Sequence, residues 1–539
     1  HVDSIVVAPA SVDCLSQDEM QQFTPQAFSG GNDVTATVGP FTWQSTSISQ
    51  VTIDSDGLAT AKLPGRSNIF ASVAATNSTA VPFFVCPPAI ITAHVPDLPD
   101  TTFTIAGTAS QQLAADVVDT KGKTLTGVPL QWTSSLPAVA TVDNNGLVRG
   151  VIPGTTVVSA SCTPPSCNPN TTLASHSNAT VATVTGSTVP TAAFATCTST
   201  ADPCTTATSS GTQTPLVSIG TSGDTIGTTL QLPNTPNSLV LSNDGLVAFL
   251  GSSGGLMIVN ATNTTLDSTV TNAPGMALAA NTTGSRVIIS DIATSRVFIL
   301  DRSANTLEIL NIAGATRAAF TPDGFKAFIL ASNTLHVHSP QLTLRTIALG
   351  ASAADLDILA GGSFVYLAGG AASALTAHAT CDNSLAETLA TPGTPSLVAS
   401  LPDGNTVLAV DSPGIDVVSV VPDLTAGCPG LLADTVNQVD FGQGAFTALQ
   451  MIVLADGSRA YVTSDLADVL VYDVAGGTTT NIPLVGGAVP TTGGATIDST
   501  RVYVGGSDNA VHRIDVDTGT DSVQIPLTFT PDLVGVRPR

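Results

Sequence analysis

Apolar and polar residues alternate in short runs along the first third of the chain. Examples are "QVTID", "IFASVAA", "AVATVD" and "TTVVSASC", and Gly, Pro, Asn and Asp lie between such runs. Alternation with a period of two predicts strands with one buried face, and the frequent turn residues predict antiparallel pairing. The pattern therefore predicts β-sheets packed as sandwiches.

A duplication divides this region in two. The stretch "TIDSDGLATAKLPG" returns as "TVDNNGLVRGVIPG" 89 residues further on, and the same offset places Trp43 on Trp132. A repeat of this length matches the size of one sandwich. We therefore expect two sandwiches in tandem, over residues 1–89 and 90–185.

The acidic start of the repeated stretch has two readings. Asp54 and Asp56 resemble the opening of a calcium-binding loop, but such a loop needs a bidentate Glu at its twelfth position, and none follows. The second copy has Asn145 in place of Asp56. Since Asp-Gly and Asn-Gly both supply the positive φ that hairpins require, a turn is the favoured interpretation.

From about residue 190 the repeat length changes to about 40 residues, which is typical of propeller blades. Each unit has two apolar strands around an Asp-Gly turn or its equivalent, followed by two more strands. An insertion around Cys428 lengthens one unit. The turn glycines are 39, 40, 38, 42 and 53 residues apart: Gly245, Gly284, Gly324, Gly362, Gly404 and Gly457.

Seven units are complete, and parts of another lie at the two ends of the propeller region. "TAAFATC", "PLVSIG" and "GTTLQL" look like second, third and fourth strands, and "DLVGVRP" looks like a first strand. A blade made from both ends would close the ring and leave no open edge. We expect an all-β chain with a C-terminal β-propeller over residues 186–539, in which 186–215 hold the joint and the first strand of the split blade. Eight blades are favoured, and seven are the alternative.

Two family resemblances agree with this division. "WTSSLPAVATVDNNGLVRGVIPGTTVVSASC" resembles the bacterial Ig-like domains of group 2, the invasin and intimin type, and the first copy resembles them more loosely. "RAYVTSD" and "RVYVGGSD" resemble the YVTN family of β-propeller repeats. The first resemblance implies two tandem Ig-like β-sandwiches that act as surface-exposed or secreted spacer or adhesin modules. The second implies the propeller fold but no particular activity.

The charge balance narrows the classes of partner. The net charge is −24 at pH 7, and basic residues are few, with 16 Lys and Arg among 539 residues. Without a basic patch, nucleic-acid and anionic-lipid binding are disfavoured. Nearly all acidic residues are Asp, so an acidic habitat would neutralise most of the charge repulsion and is compatible with this chain.

Eight cysteines, none in a Cys-x-x-Cys spacing, favour disulfides and an oxidising compartment over a zinc site, with free buried thiols as the alternative. The chain lacks an apolar run of about 18 residues, so no membrane span is expected. Position suggests the pairs Cys14–Cys86, Cys162–Cys167, Cys197–Cys204 and Cys381–Cys428. Candidate glycan acceptors in Asn-x-Ser/Thr triplets are Asn77, Asn170, Asn178, Asn260, Asn263 and Asn281.

Candidate chemistry is sparse, and we predict no catalytic residue, cofactor or metal site. His1 could hold copper, and His336 and His338 share a strand face, but ordinary structural roles are favoured for all three. The Asp residues in "DSPGIDVVSV" and "SDLADVLVYD" are expected to be solvated at strand ends, with a surface calcium ion as the alternative. Catalytic motifs such as Gly-x-Ser-x-Gly are absent, and the Asp residues that recur beside the turn glycines indicate turn chemistry: Asp244, Asp323, Asp403 and Asp456.

The favoured function is a secreted or cell-surface structural or adhesive protein, with self-assembly into an extracellular filament as its specific form. Its partner would be another copy of the chain or a surface protein, with glycans as a second choice. One alternative is an extracellular propeller enzyme, lactonase-like or lyase-like, with its site in the channel. Another is a carbohydrate-binding protein, although the propeller lacks Trp for stacking on sugars.

Overall fold

The computed structural model describes residues 1–538 except 99, 188, 202, 209–210, 341–343, 424–427, 429 and 432–433. The predicted all-β class is confirmed. Within the described residues, the helical segments are two 3-10 turns, Thr35–Thr37 and Val485–Gly487. None of the helices found there is long and apolar enough to cross a membrane.

The first sandwich contains three sheets, with strand orders β1-β4-β5, β10-β9-β11-β2 with β6 also on β9, and β3-β8-β7. Strands β2 and β11 run parallel, and the other pairs are antiparallel. The strands are β1 (Ser4–Ala8), β2 (Val12–Leu15), β3 (Met20–Gln22), β4 (Thr24–Ser29), β5 (Asn32–Asp33), β6 (Thr42–Ser45), β7 (Val51–Ile53), β8 (Leu58–Ala61), β9 (Gly65–Val73), β10 (Thr76–Asn77) and β11 (Val81–Val85).

The second sandwich repeats this topology. Its sheets have the orders β12-β15-β16, β13-β22-β20-β17 with β21 also on β20, and β14-β19-β18, and β13 runs parallel to β22. The strands are β12 (Pro88–His94), β13 (Thr102–Ala106), β14 (Ser110–Gln112), β15 (Ala114–Asp119), β16 (Thr124–Leu125), β17 (Gln131–Ser134), β18 (Ala140–Val142), β19 (Leu147–Gly150), β20 (Gly154–Cys162), β21 (Ser175–His176) and β22 (Thr180–Thr185).

The repeated acidic stretch forms the same turn in both sandwiches. The carboxylate of Asp54 accepts hydrogen bonds from the backbone N–H of Asp56 and of Leu58, at 3.0 and 2.9 Å, and Asp143 does the same in the second copy. Gly57 has φ +80°, and a Cβ there would lie 2.8 Å from the Trp43 ring. The stretch therefore needs its glycine for both turn geometry and packing, which explains why the Asp56 carboxylate is dispensable.

The propeller is a ring of antiparallel sheets, and the described residues form eight of them, seven with four strands and one with five. We number them blades 1 to 8, starting with the split blade. Blade 1 joins β57 (Leu533–Val536), β23 (Ala192–Thr196), β25 (Gly211–Gly220) and β26 (Thr225–Leu232) in this order, and β24 (Thr206–Thr208) also pairs with β25.

The next four blades each use consecutive strands, beginning with the innermost. Blade 2 has β27 (Ser238–Leu241), β28 (Val247–Gly251), β29 (Leu256–Asn260) and β30 (Thr265–Val270), and blade 3 has β31 (Met276–Ala280), β32 (Arg286–Asp291), β33 (Arg296–Asp301) and β34 (Thr306–Leu310). Blade 4 has β35 (Ala315–Phe320), β36 (Ala327–Ala331), β37 (Thr334–His338) and β38 (Arg345–Ala348), and blade 5 has β39 (Ala353–Ile358), β40 (Phe364–Gly369), β41 (Ala374–Ala379) and β42 (Leu385–Ala390).

Blade 6 carries the insertion around Cys428, part of which lies outside the described residues. It has β43 (Leu397–Ser400), β44 (Thr406–Asp411), β45 (Gly414–Ser419) and β48 (Thr435–Asp440), with the added pair β46 (Pro422–Asp423) and β47 (Gly430–Leu431). Blade 7 has β49 (Ala448–Val453), β50 (Arg459–Ser464), β51 (Asp468–Asp473) and β52 (Thr478–Pro483), and blade 8 has β53 (Pro490–Ala495), β54 (Arg501–Gly506), β55 (Ala510–Asp515) and β56 (Thr520–Pro526).

The innermost strands contact each other in sequence around the ring, and β57 lies between β53 and β27. Apolar clusters fill the space between neighbouring blades, for example where β36 and β37 pack on β39 and β40. A polar latch supports the closure: Asp224 of blade 1 accepts hydrogen bonds from Tyr503 Oη and Arg513 Nη1 of blade 8, each at 2.6 Å. Both ends of the propeller region are thus joined into one blade.

The eight cysteines form four disulfides, in the pairs that their positions suggested. Cys14–Cys86 joins two segments of the first sandwich, and Cys162–Cys167 closes a short loop in the second. Cys197–Cys204 lies in blade 1, and Cys381–Cys428 links blade 5 to the insertion of blade 6. Each domain therefore contains at least one covalent link.

Truncation tests the ring closure. Deleting residues 532–539 removes β57, its ladder of hydrogen bonds to β23 and the buried side chains of Val534 and Val536. Together these contribute on the order of several kcal/mol. We expect a lower thermal unfolding midpoint and faster proteolysis within blade 1, whereas a chain ending at Arg537 should match the full chain. Equal stability of both truncations would contradict this role of β57.

Candidate functional site

The second sandwich lies over one mouth of the propeller channel. A cavity of about 330 Å³ lies between them, and we call it the capped mouth. The sandwich contributes Ser135, Leu136 and Thr155–Val157, and inner-strand ends contribute most of the other side. Those strand ends include Ala280, Phe320, Ile358, Ser400 and Val453.

A buried ion pair joins the two domains beside the capped mouth. His176 on β21 places Nε2 3.1 Å from Asp323 Oδ2 in the turn of blade 4, and both side chains are only 2% exposed. The other ring nitrogen, Nδ1, lies 3.3 Å from the hydroxyl of Thr380 in blade 5. Since that hydroxyl donates to the carbonyl of Gly362, at 2.6 Å, it accepts from the ring.

The pKa of the Asp323 carboxyl depends strongly on His176. Burial alone would raise its pKa, but the charge and hydrogen bond of His176 hold the pKa well below its usual range. Its second oxygen accepts hydrogen bonds from the Thr321 hydroxyl and the Phe325 N–H, at 2.6 and 3.0 Å. Asp323 therefore makes the predicted turn and also holds the sandwich, a second role that the sequence pattern did not reveal.

A buried lysine holds the loop that carries Thr380, one of the residues in contact with His176. Lys326 Nζ donates to the carbonyls of Thr380 and Cys381 and to Asn383 Oδ1, the last two at 3.0 and 3.1 Å. Its side chain is inaccessible to solvent, and burial lowers its pKa to about 8. Lys326 thus links blade 4 to the loop of blade 5 that carries Thr380. This loop is part of the docking surface, by which we mean the propeller residues that contact the second sandwich, such as Asp323 and Thr380.

Close packing at the docking surface depends on a glycine. Gly362 has φ +94°, and a Cβ there would lie 2.9 Å from His176 Cδ2. Further hydrogen bonds cross the interface, including one of 2.9 Å from Asn243 Nδ2 in blade 2 to the carbonyl of Ser135. The second sandwich is therefore fixed to several blades at once.

The channel contains an ion pair and a second acid on the inner strands. Arg317 Nε lies 3.1 Å from Asp355 Oδ1, and the other oxygen of Asp355 accepts from the Val398 N–H at 3.1 Å. Asp357 lines the capped mouth and accepts a hydrogen bond of 2.7 Å from the Ser400 N–H. Burial raises the pKa of Asp357 to about 6, although this hydrogen bond opposes the increase. Hydroxyl and aliphatic groups form most of the remaining lining.

The structure assigns ordinary contacts to the other histidines considered above. His338 is buried with Nε2 3.0 Å from Glu308 Oε2, His336 contacts the hydroxyls of Thr334 and Thr346, and the exposed His1 lies beside Asp3. In the part of the chain that the structure describes, no group of three or more His, Cys, Asp or Glu side chains is placed to hold a metal ion.

The Asp residues that were expected to be solvated differ in how deeply they are buried. The expectation is wrong for Asp411 and Asp416 of "DSPGIDVVSV", which are 1% and 0% exposed because blade 5 covers their strand face. Asp465, Asp468 and Asp473 of "SDLADVLVYD" remain at least partly exposed.

The candidate glycan acceptors divide by exposure. Asn77, Asn170 and Asn263 are exposed, although the Asn170 amide donates to the Arg66 carbonyl at 2.9 Å. Asn178 is partly buried, and its amide exchanges hydrogen bonds with the backbone of Ala93, so a glycan there would break them. Asn260 and Asn281 are also partly buried.

Comparison with known proteins agrees with the Ig-like part of this architecture. Residues 97–163 match the model of the bacterial Ig-like domain, group 2. The match lies within the second sandwich, which carries His176 and the surface that covers the channel. No curated protein sequence matches the chain significantly.

Several solved structures resemble the chain at low identity. The dihydro-heme d1 dehydrogenase NirN in complex with DHE is 12% identical, with 59% of this chain and 72% of NirN covered and a TM-score of 0.47. Kuenenia stuttgartiensis hydrazine synthase is 15% identical, with coverage of 56% and 90% and a TM-score of 0.37. The β-propeller domain of Myceliophteria thermophila Cps50 (Swd1) is 9% identical, with coverage of 53% and 95% and a TM-score of 0.41. These values carry no argument about activity.

Substituting Asp323 tests the docking contact. In Asp323→Asn the amide oxygen can still accept the turn hydrogen bonds, but the buried charge opposite His176 is lost, at a cost on the order of 3 kcal/mol. We expect a lower unfolding midpoint and faster proteolysis between the second sandwich and blade 1. Asp456→Asn, in the equivalent turn of blade 7, should leave the junction protected. Equal protection of the two variants would contradict the role of the ion pair.

Substituting Asp357 tests the acid in the capped mouth. Because its folded pKa is raised, its contribution to stability is fully present below about pH 4 and is lost as the pH rises through about 6. Asp357→Asn retains an acceptor for Ser400 but cannot ionise. We expect a smaller decrease in unfolding midpoint between pH 4 and 7 in the variant than in the parent chain, measured by calorimetry. An unchanged decrease would show that Asp357 does not titrate in this way.

Proposed function

We propose that this chain is a non-catalytic structural component of an extracellular or cell-surface assembly. The observation that carries the proposal is the buried contact between His176 and Asp323, which fixes an Ig-like sandwich over the channel. A sandwich held in this way has a fixed position and orientation relative to the propeller. Such coupling suits a building block better than a flexible spacer.

The first sandwich is also tied to its neighbour. Gln17 exchanges hydrogen bonds with the backbone of Thr126, at 3.0 and 2.9 Å, and the N–H of Arg66 donates to the carbonyl of Pro169 at 3.1 Å. These contacts and the Cys162–Cys167 loop beside them limit the freedom of the junction. Together with the docked second sandwich, they favour one rigid unit of three domains.

The surface chemistry is compatible with an exterior location. Four disulfides favour an oxidising compartment, and Thr, Ser, Asn and Asp replace the Lys and Glu of a typical cytosolic surface. Burial also raises the pKa of several carboxyls, including Asp355 and Asp434. Groups of this kind stabilise the folded state more at low pH than at neutral pH, which supports function in an acidic medium.

Self-assembly is the specific form that we propose. With one channel mouth covered by the second sandwich, the other mouth and the first sandwich are two unlike surfaces that a neighbouring copy could contact. A contact between unlike surfaces of successive copies repeats without closing and produces a fibre. Protonation of Asp would reduce the repulsion between chains of net charge −24 and so favour this contact at low pH.

The rival functions have less support. A propeller enzyme would need a reactive constellation, but Asp357 in the capped mouth has mainly hydroxyl and aliphatic neighbours, and Asp355 is already paired with Arg317. A carbohydrate-binding surface would benefit from exposed tryptophan. Both Trp residues instead pack against the turn glycines of the sandwiches.

Electron microscopy tests the proposal. The purified full chain should form ordered polymers in negative stain, in larger amounts at pH 4 than at pH 7, and Asp323→Asn should shorten them because its second sandwich is held less firmly. Asp456→Asn is the matched control and should polymerise normally. Dispersed single particles at every pH from 3 to 7 would contradict self-assembly.

A further inference from the structure

The two sandwiches share one sheet that has the same register in both copies. The 89-residue offset places β6 on β17 and β9 on β20. Two residues lie between β9 and β10, and twelve lie between β20 and β21, so the offset rises to 99 after this connection. Asn77 of β10 pairs with Ser72, and His176 of β21 pairs with Ser161. Asn77 therefore occupies the position of the histidine that holds the second sandwich on the propeller.

In the second sandwich the propeller covers the outward face of this sheet. Thr155 and Val157 line the capped mouth, and His176 makes the ion pair with Asp323. Gln131, at the start of β17, donates to the carbonyl of Asp323 at 3.5 Å. The outward residues of β20 are all buried: Thr155, Val157, Ser159 and Ser161.

The same face of the first sandwich is open. Ile48, in the loop after β6, is 73% exposed, whereas its counterpart Pro137 lines a cavity shared with Pro322 of the propeller. Asn77 is also exposed. Ile48, Asn77 and the outward residues of β9 form what we call the open sheet face, and those residues of β9 are exposed or partly exposed: Arg66, Asn68, Phe70 and Ser72.

The open sheet face continues into the junction between the two sandwiches. The N–H of Arg66 donates to the carbonyl of Pro169 at 3.1 Å. A cavity of about 590 Å³ adjoins this contact, and Arg66, Pro82 and Phe84 line it together with residues 170–173. A partner docked on the face would therefore extend an interface that the chain already makes.

The uncovered end of the propeller channel, which we call the open mouth, offers a counterpart. Because the inner strands end at the capped mouth, their starts lie at the open mouth, beside the hairpins that join second to third strands and the connections between blades. Three large apolar side chains are exposed there: Ile292 at 49%, Leu449 at 47% and Val485 at 51%. Covering them would remove apolar surface from water.

The distribution of charge favours contact between unlike surfaces. Exposed or partly exposed acids lie at the open mouth, namely Asp291, Asp465 and Asp508. Two open mouths brought together would therefore repel each other. The outward charged residues of the sheet in the first sandwich are one base, Arg66, and one acid, Asp13, so this surface approaches an acidic mouth without such repulsion.

We propose that the open sheet face of the first sandwich docks on the open mouth of a second copy of this chain. The inference rests on the proposed self-assembly and names the two surfaces that form its contact. The second sandwich already occupies the capped mouth of its own propeller, so the partner must come from another copy. Each copy in a row keeps one free surface of each kind, and the contact repeats without closing.

Substitutions at the two surfaces test the inference by sedimentation of the full chain at pH 5, where glutamate is mainly ionised. Ile48→Glu should weaken self-association at least about tenfold, because the contact would bury an unpaired charge. Met20→Glu is the matched control. Met20 is 60% exposed on a different sheet of the same sandwich, so this variant should associate like the parent chain.

Mixing two variants tests whether the contact joins unlike surfaces. The double variant Ile292→Glu/Val485→Glu alters the open mouth and should sediment as a monomer, as should Ile48→Glu. Mixed together, they should form dimers that do not grow, because one retains an intact mouth and the other an intact sheet face. A mixture that stays monomeric would overturn the pairing of these two surfaces.

The remaining outcomes separate this inference from the proposed self-assembly. If the parent chain polymerises and Ile48→Glu polymerises equally well, the docking assignment is wrong but self-assembly stands. If the parent chain stops at closed dimers that Ile48→Glu abolishes, the sheet face is supported and the fibre is rejected. A parent chain that is monomeric at every concentration would contradict both.

Discussion

The ladder of hydrogen bonds between β23 and β57 is the contact on which the ring depends. Every other blade is built from neighbouring segments of chain, whereas this ladder joins strands more than 300 residues apart in the sequence. Without it, β23 would present an open edge in blade 1, and the contacts of β57 with β53 and β27 would be lost. The sandwich docked on the ring depends on this closure as well, because its partners are distributed over several blades.

Scarcity of basic residues determines how the blades are tied together. With only 16 Lys and Arg available, many of these side chains bridge two elements. Arg286 donates to the carbonyl of Gly324 in the next blade, and Arg513 reaches Asp224 across the closure. Lys326 is fully buried, and its ammonium group donates hydrogen bonds to carbonyl and amide oxygens of blade 5. The basic side chains that make these contacts are not available to form a basic surface patch.

The fold was largely predictable because its signals are local. Period-two alternation, Asp-Gly turns and an 89-residue offset are visible in the sequence, and the fragments at both ends indicated a shared blade. The docking contact was not predictable. Asp323 looks like Asp403 and Asp456 in sequence, and which of these turns meets His176 depends on an orientation that distant residues determine.

Burial of the acids in blade 6 was missed for a related reason. Asp411 on β44 and Asp416 on β45 share a sheet face through the pairing of the two strands, but the sequence does not tell which face the next blade covers. The polar composition of "DSPGID" resembles that of an exposed hairpin, and the neighbouring blade that encloses it begins more than 50 residues earlier. Contacts between blades are long-range, so a single sequence carries little information about them.

The geometry of the split blade has a mechanical consequence. Ala193 pairs with Val536 and Thr196 pairs with Leu533, so the chain enters β23 and leaves β57 at the same end of the ladder. A pulling force applied between the second sandwich and residue 537 would therefore load the hydrogen bonds one after another and peel the two strands apart, instead of shearing all of them together. A fibre in which tension ran between the second sandwich and residue 537 would yield at low force. A fibre in which neighbouring subunits contacted the outer strands of the blades would leave the ladder unloaded.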